Sequence, residues 1–417
     1  MASEREMSNF SISQNDRRIL RDLANQIAEL ANNPIEEAKR DIWSAHNSLE
    51  RTRPLIFCDP ENGWNEIITP ETLECEGDYA RQLEMLLRKE IFWGSRMNDD
   101  RVINSHFNIG YIHKKSGWGL HETLVGGGHG GAYTWEPPIK SYDDLDKLSF
   151  PVIEVDWEAT NAQLEIVRDA IGDILTAQLS MGWWWTLGLT QTVAKLRGLE
   201  TMMFDMIDQP EGLHRLMAFI RDGHLSMLDY LEENNLLHLN NSTYVGSGGF
   251  GWTKELPQSD YNDKVRPIDM WGFCESQETV SVSPGMYEEF VFPYESPILE
   301  RFGLNCYGCC EPIDTRWHVV SRHPRLRRIS VSPWANIASM AEKLQDKYVF
   351  SLKPNPSILA SPSLDEDYIR KWLREAFEVT KGCNVEVIMK DCHTIGKDPS
   401  RPIRWTQIAR EEAARIS

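Results

Sequence analysis

SLDEDYIRKWLREAFEVTKGCNVEVIMKDCHTIG, residues 363–396, is the stretch whose reading decides the fold. Ser363-Leu364-Asp365-Glu366 has the form of a capping box, in which a hydroxyl and a carboxylate satisfy amides left unpaired at a helix start. Ile369, Leu373 and Phe377 then recur at helical spacing as a buried stripe, and Gly382 ends the helix. An apolar run, Val385–Lys390, follows at once and reads as a strand. The same helix-then-strand unit occurs upstream, where the stripe Leu213, Met217, Ile220, Met227 and Leu231 delivers the chain to Leu236–Ser242. Eight candidate strands result: Pro54–Cys58, Ile174–Ser180, Leu236–Ser242, Ile268–Phe273, Leu304–Gly308, Arg328–Ser332, Tyr348–Leu352 and Val385–Lys390. Strands alternating with helices predict an α/β protein with a parallel sheet, and eight of them predict a (β/α)8 TIM barrel.

Outside this repeat lie an N-terminal helical extension, residues 1–50, with Ile19, Leu23, Ile27 and Leu30 on one face, and a barrel domain, residues 51–417. Residues 61–172 form a long insertion or lid after the first strand, carrying Gly126-Gly127-Gly128-His129-Gly130-Gly131. That run lacks the Lys-Ser/Thr of a phosphate-binding loop and the spacing of a dinucleotide fingerprint, so it reads as a lid or tight turn. The 417 residues carry 63 acidic against 44 basic groups, a formal charge of −19. Such a charge repels phosphate backbones and anionic membranes, which argues against nucleic acid and membrane partners. No apolar run approaches the roughly 20 residues of a membrane helix, and Met1-Ala2-Ser3-Glu4-Arg5 opens no secretory segment. The expectation is a cytoplasmic, soluble protein whose eight cysteines are thiols or metal ligands rather than disulfides. The N-terminal helices are a candidate surface for a homodimer.

Barrel enzymes place chemistry at the C-terminal ends of their strands. Two such ends carry soft or borderline metal ligands, Cys309-Cys310-Glu311 and Asp391-Cys392-His393. Strand alternation puts Asn305 and Tyr307 on the face that continues to Cys309, Glu386 and Lys390 on the face of Cys392, and Asp269 on that of Glu275. Glu275, Cys309 and Cys392 would then supply three ligands with a fourth position open, the pattern of a catalytic zinc. Cys310 and His393 are close rivals, because alternation fails just past a strand end. Trp183, Asn241, Tyr244, Trp334 and Lys353 sit at other strand ends as candidates for substrate binding. Asp391-Cys392-His393-Thr394-Ile395-Gly396 also satisfies the D-x-H-x-x-G loop by which corrinoid domains offer histidine to cobalt. Only 21 residues follow Gly396, too few for the rest of such a domain, so any corrinoid is expected on a separate protein.

These residues resemble the uroporphyrinogen decarboxylase superfamily, and within it the corrinoid-dependent methyltransferases. The resemblance spans most of the chain after about residue 50. It rests on Arg53-Pro54-Leu55-Ile56-Phe57, Trp271-Gly272-Phe273-Cys274-Glu275-Ser276-Gln277-Glu278, the stretch 290–303 leading to Tyr307-Gly308-Cys309-Cys310-Glu311, and the stretch 390–396. Methyltransferases of that group hold zinc with a His-x-Cys motif and a cysteine near the last strand. Tyr307-Gly308-Cys309 or Gly308-Cys309-Cys310 occupies the slot here without the histidine, which leaves Glu275 or His393 as its replacement. The Arg-Gln-Ala-Gly-Arg segment of the decarboxylases is absent. The resemblance implies a zinc-dependent transfer of methyl from a methoxylated aromatic compound to the cobalt of a separate corrinoid protein, an O-demethylation. Methyl transfer from the corrinoid to a thiol such as coenzyme M is the alternative in the same fold. A non-catalytic barrel that docks a partner is the alternative from another class.

Overall fold

The computed structural model describes residues 10–126 and 133–416, so most of the glycine run after Gly126 lies outside the described residues. The chain is a mixed α/β protein that divides into two compact units. Its strands are β1 (Leu55–Cys58), β2 (His106–Gly110), β3 (His113–Lys115), β4 (Thr123–Gly126), β5 (Tyr133–Glu136), β6 (Ile153–Val155), β7 (Thr176–Ser180), β8 (Trp271–Cys274), β9 (Leu304–Tyr307), β10 (Leu326–Val331), β11 (Val349–Leu352) and β12 (Asn384–Met389). Among the described residues no helix is long and apolar enough to cross a membrane.

The first unit comprises Met1–Ile112, Val155–Gly182 and Leu344–Ser417. In it β12 lies between β1 and β11, all parallel, with Leu55 opposite Glu386 and Val349 opposite Asn384. A second parallel pair joins β2 to β7. Side-chain carboxylates complete β1 where no strand does: Asp100 accepts from the Ile56 amide at 2.7 Å and Asp99 from the Cys58 amide at 3.1 Å. Arg53 holds Asp100 through two bonds of 2.8 and 2.6 Å. The helix Glu366–Val379 buries Ile369, Leu373 and Phe377 as its spacing predicts, but its N-cap is Asp365, accepting from Tyr368 N, in place of the expected Ser363 box. The N-terminal helices Gln14–Ala31 and Pro34–Asn47 form as expected. Asp16 ties the first of them down by accepting from the amides of Glu76 and Gly77 at 2.8 and 3.3 Å.

The second unit comprises His113–Glu154 and Trp183–Lys343. Here β9 lies between β8 and β10, again parallel, while β4 and β5 make an antiparallel hairpin. Val245, Leu256, Trp271, Phe273, Leu304, Cys306 and Cys309 form one buried cluster across β8 and β9. The long helix Pro210–Glu233 buries the predicted stripe of Leu213, Met217, Ile220, Met227 and Leu231. The strand expected after it, Leu236–Ser242, does not form; the segment is irregular and closes in a turn. The polar residues after Leu236 and Leu237 explain the difference. Asn240 puts its side-chain amide beside β8, donating to Trp271 O and accepting from Trp271 N, both at 2.9 Å. One side chain thus supplies the donor and acceptor that a neighbouring strand would have offered.

Asn240→Ala should therefore destabilise the protein by roughly 1–3 kcal/mol, because it leaves both Trp271 backbone groups without a partner. The measurement is the urea midpoint at constant slope; an unchanged midpoint would mean that water substitutes fully.

Candidate active site at the ends of β8 and β9

The ladder between β8 and β9 ends with Cys274 opposite Tyr307, and Gly308 N donates to Cys274 O at 2.9 Å. Gly308 has φ +91°, a left-handed conformation that costs glycine least, and an added Cβ would meet Ile313 at 2.4 Å. That kink overturns the alternation argument for β9. Asn305 bonds the carbonyls of Leu299 and Pro324, and Tyr307 bonds Glu295, whereas Cys309 joins the cluster of Leu304 and Cys306. Asp269 likewise lies before β8, in a helical turn with Arg266, and not on a strand face running to Glu275.

Beyond the two strand ends sits a group of carboxyls. Glu311 accepts from Ser276 N and from Cys309 N, both at 2.9 Å, and so fastens the end of β8 to that of β9. Glu275 is fully buried; its Oε2 accepts from Gln277 N at 3.1 Å and its Oε1 has no hydrogen-bond partner. Burial first, then the nearby Glu311 and Glu278, pushes the Glu275 carboxyl up to about 9. Burial raises Glu311 too, but amide bonds and Arg316 oppose the rise. Glu311 thus has more hydrogen bonds holding its charged form than Glu275 has.

Behind them runs a buried polar chain. Tyr307 OH donates to Glu295 at 2.7 Å, Tyr287 OH to Tyr307 OH at 2.8 Å, and His323 Nε2 lies 3.1 Å from Tyr287 OH. Arg316 reaches Ser276 Oγ and Thr279. Burial drives Glu295 up to about 8 and His323 down to about 3, so both are neutral near pH 7. In front lies an open cleft of about 410 Å³ lined by Gln277, Glu278, Val280, Cys310, Glu311 and Trp334. Cys310 is exposed, Cys309 is buried, and their sulfurs are 3.7 Å apart. Trp334 is 69% exposed and offers a bare indole face.

Glu275, Cys309, Cys310 and Trp334 are thus brought to neighbouring strand ends, while Trp183, Asn241 and Tyr244 lie elsewhere in the same unit. Trp183 is buried, donates from Nε1 to Leu236 O at 2.8 Å and meets His113 edge-on. Asn241 keeps a buried, unbonded Oδ1, and Tyr244 pairs with Phe250 in an isolated bridge. In the other unit Lys353 is buried, with Nζ on Ser351 Oγ at 2.5 Å. Cys392 is buried beside Glu61, Asp59, Asp391 and Lys390; burial and then those carboxylates push its thiol well above the usual range. Lys390 Nζ is 3.6 Å from Glu61. His393 is exposed, and the loop around it is clamped by Glu66, which accepts from Thr394 Oγ1, Ile395 N and Lys397 N. Among the described residues no three His, Cys, Asp or Glu side chains converge as a metal site.

Sequence reasoning quoted Glu311 within the Cys309-Cys310-Glu311 strand end without giving it a role of its own, and it did not single out Glu278 and Glu295 as functional. The nearest signal was that Glu278 and Glu311 close the two quoted motifs at the ends of β8 and β9. The neutral Glu295 yields a pH test. Its folded value lies above the ordinary 4.5, so the protein binds an extra proton when folded and loses stability as pH rises from 4.5 through about 8. Glu295→Gln removes that dependence, and the wild type should fall behind this variant over that window in thermal or urea unfolding. Parallel pH profiles would show that folding leaves the proton affinity of Glu295 at its ordinary value.

No protein-family model matches the sequence, and no curated protein matches it. Among solved structures, a methyltransferase from Methanosarcina mazei shares the fold at a TM-score of 0.50 and 11% sequence identity, covering 89% of this chain and 97% of that one.

Proposed function

We propose that the chain is a zinc-dependent methyltransferase on a (β/α)8 barrel that moves a methyl group from a methoxylated aromatic compound to the cobalt of a separate corrinoid protein. The carrying observation is the unpartnered, buried Glu275 Oε1 at the strand end next to the one bearing Cys309 and Cys310. Two thiols and a carboxyl oxygen that lacks a hydrogen bond are a donor set suited to zinc. Glu275, Cys309 and Cys310 do not converge on one point as they stand, so zinc would have to draw them together; bound there, it would supply Lewis acidity toward an ether oxygen and so ease expulsion of a phenolate. Glu311 fixes the backbone on which Cys309 sits, and Trp334 gives the donor ring a surface to stack on beside Cys310. The motif resemblance and the fold shared with a methyltransferase support the same reading.

The test has two parts. Purified protein should carry about one zinc ion per chain, retained by Trp334→Phe and lost in Cys309→Ala. Mixed with reduced corrinoid protein and a methoxybenzene, it should produce the methyl-cobalt spectrum, at least tenfold more slowly in Cys309→Ala. Protein that binds no zinc and transfers equally well without Cys309 would defeat the metal assignment. Failure of every aryl ether, with demethylation of methyl-cobalt by a thiol, would reverse the direction of transfer.

A further inference from the structure

We propose that Cys309 and Cys310 are a redox-active vicinal dithiol that closes to a disulfide on meeting a small disulfide oxidant. Their sulfurs stand 3.7 Å apart, within about 2 Å of the bonding distance of about 2.05 Å. The two thiols have unequal access, as attack and resolution require. Cys310 is exposed and lines the 410 Å³ cleft, where an oxidant can enter, while Cys309 is buried behind it.

The backbone holds the pair in place from both sides. Gly308 turns the chain at φ +91°, and Glu311 grips the Cys309 amide at 2.9 Å. Adjacent Cα atoms lie only about 3.8 Å apart, below the roughly 4.4–6.8 Å that relaxed disulfides span. The resulting ring is strained, and strained disulfides are the easily reduced, labile ones. This pair is therefore a reversible element and not a structural staple.

The exchange balances with glutathione disulfide as oxidant. The Cys310 thiolate attacks one sulfur of the oxidant, forming a mixed disulfide and releasing one glutathione thiolate. Cys309, giving up its proton, then attacks Cys310 Sγ and releases the second. Two protein thiols are oxidised, one disulfide is reduced to two thiols, and the two protons pass to the released thiolates. The inference is independent of methyl transfer, although closure would remove both sulfurs from any metal.

The test uses the full chain, treated with a chelator, before and after glutathione disulfide. The intact mass should fall by two hydrogens with no glutathione retained, and thiols titrated after unfolding should drop from eight by the two of the pair. Fragment ions separating Cys306 from Cys309 should place the loss at Cys309 and Cys310, and dithiothreitol should restore it. Cys310→Ser should abolish the loss, and Cys392→Ser should leave it unchanged. A stable glutathione adduct on Cys310, a bridge mapping to Cys306 or Cys392, or no change in mass would overturn the proposal.

Discussion

The grip of one carboxylate on two amides organises the candidate site. Glu311 takes Ser276 N and Cys309 N, the donors just past the ends of β8 and β9, at 2.9 Å each. Those amides have run out of ladder partners, and an unpaired buried amide costs about 1–3 kcal/mol. With both bonded to Glu311, the strand ends are fixed relative to each other. The two amide bonds oppose the rise that burial imposes on Glu311, whereas the adjoining Glu275 has one amide bond, a carboxyl pushed up to about 9 and an oxygen that bonds nothing. The unequal bonding of the two carboxyls is thus a consequence of how the backbone is satisfied.

The same device recurs in the first unit. Asp99 and Asp100 accept from the β1 amides, and Glu66 accepts from three donors in the loop after β12. The resemblance of that loop to a cobalt-binding motif thereby gains a local structural account. Its Thr394 is spent on Glu66, and Gly396 serves a turn at φ +67°. A chain with many excess acidic groups uses a number of them as substitutes for backbone acceptors. Reading the charge of −19 only as surface repulsion misses this use.

How much was legible follows from the range of the interactions involved. The strands near Leu55, Leu304, Val349 and Val385, and the stripes of the helices Glu366–Val379 and Pro210–Glu233, depend on local pattern and were readable. Leu236–Ser242 was misread because its two leading leucines look like a strand start, while the deciding contact, Asn240 with Trp271, spans 31 positions. Side-chain parity beyond β9 was lost at a single glycine, since one positive φ turns the next side chain over. Glu311 was visible as a residue but not as a clamp, because its partner Ser276 lies 35 positions away.

A fold shared at 11% identity fixes a scaffold and leaves chemistry to individual side chains. At the ends of β8 and β9 those side chains form two layers with opposite electrostatic demands. The inner layer, Glu295, Tyr307, Tyr287 and His323, is buried and neutral, and its members bond one another. The outer layer, Glu278, Glu311, Cys310 and Trp334, borders an open cleft, with Cys310 and Trp334 exposed and Glu311 buried. Glu275 is buried like the inner layer, and one of its oxygens lacks a hydrogen-bond partner.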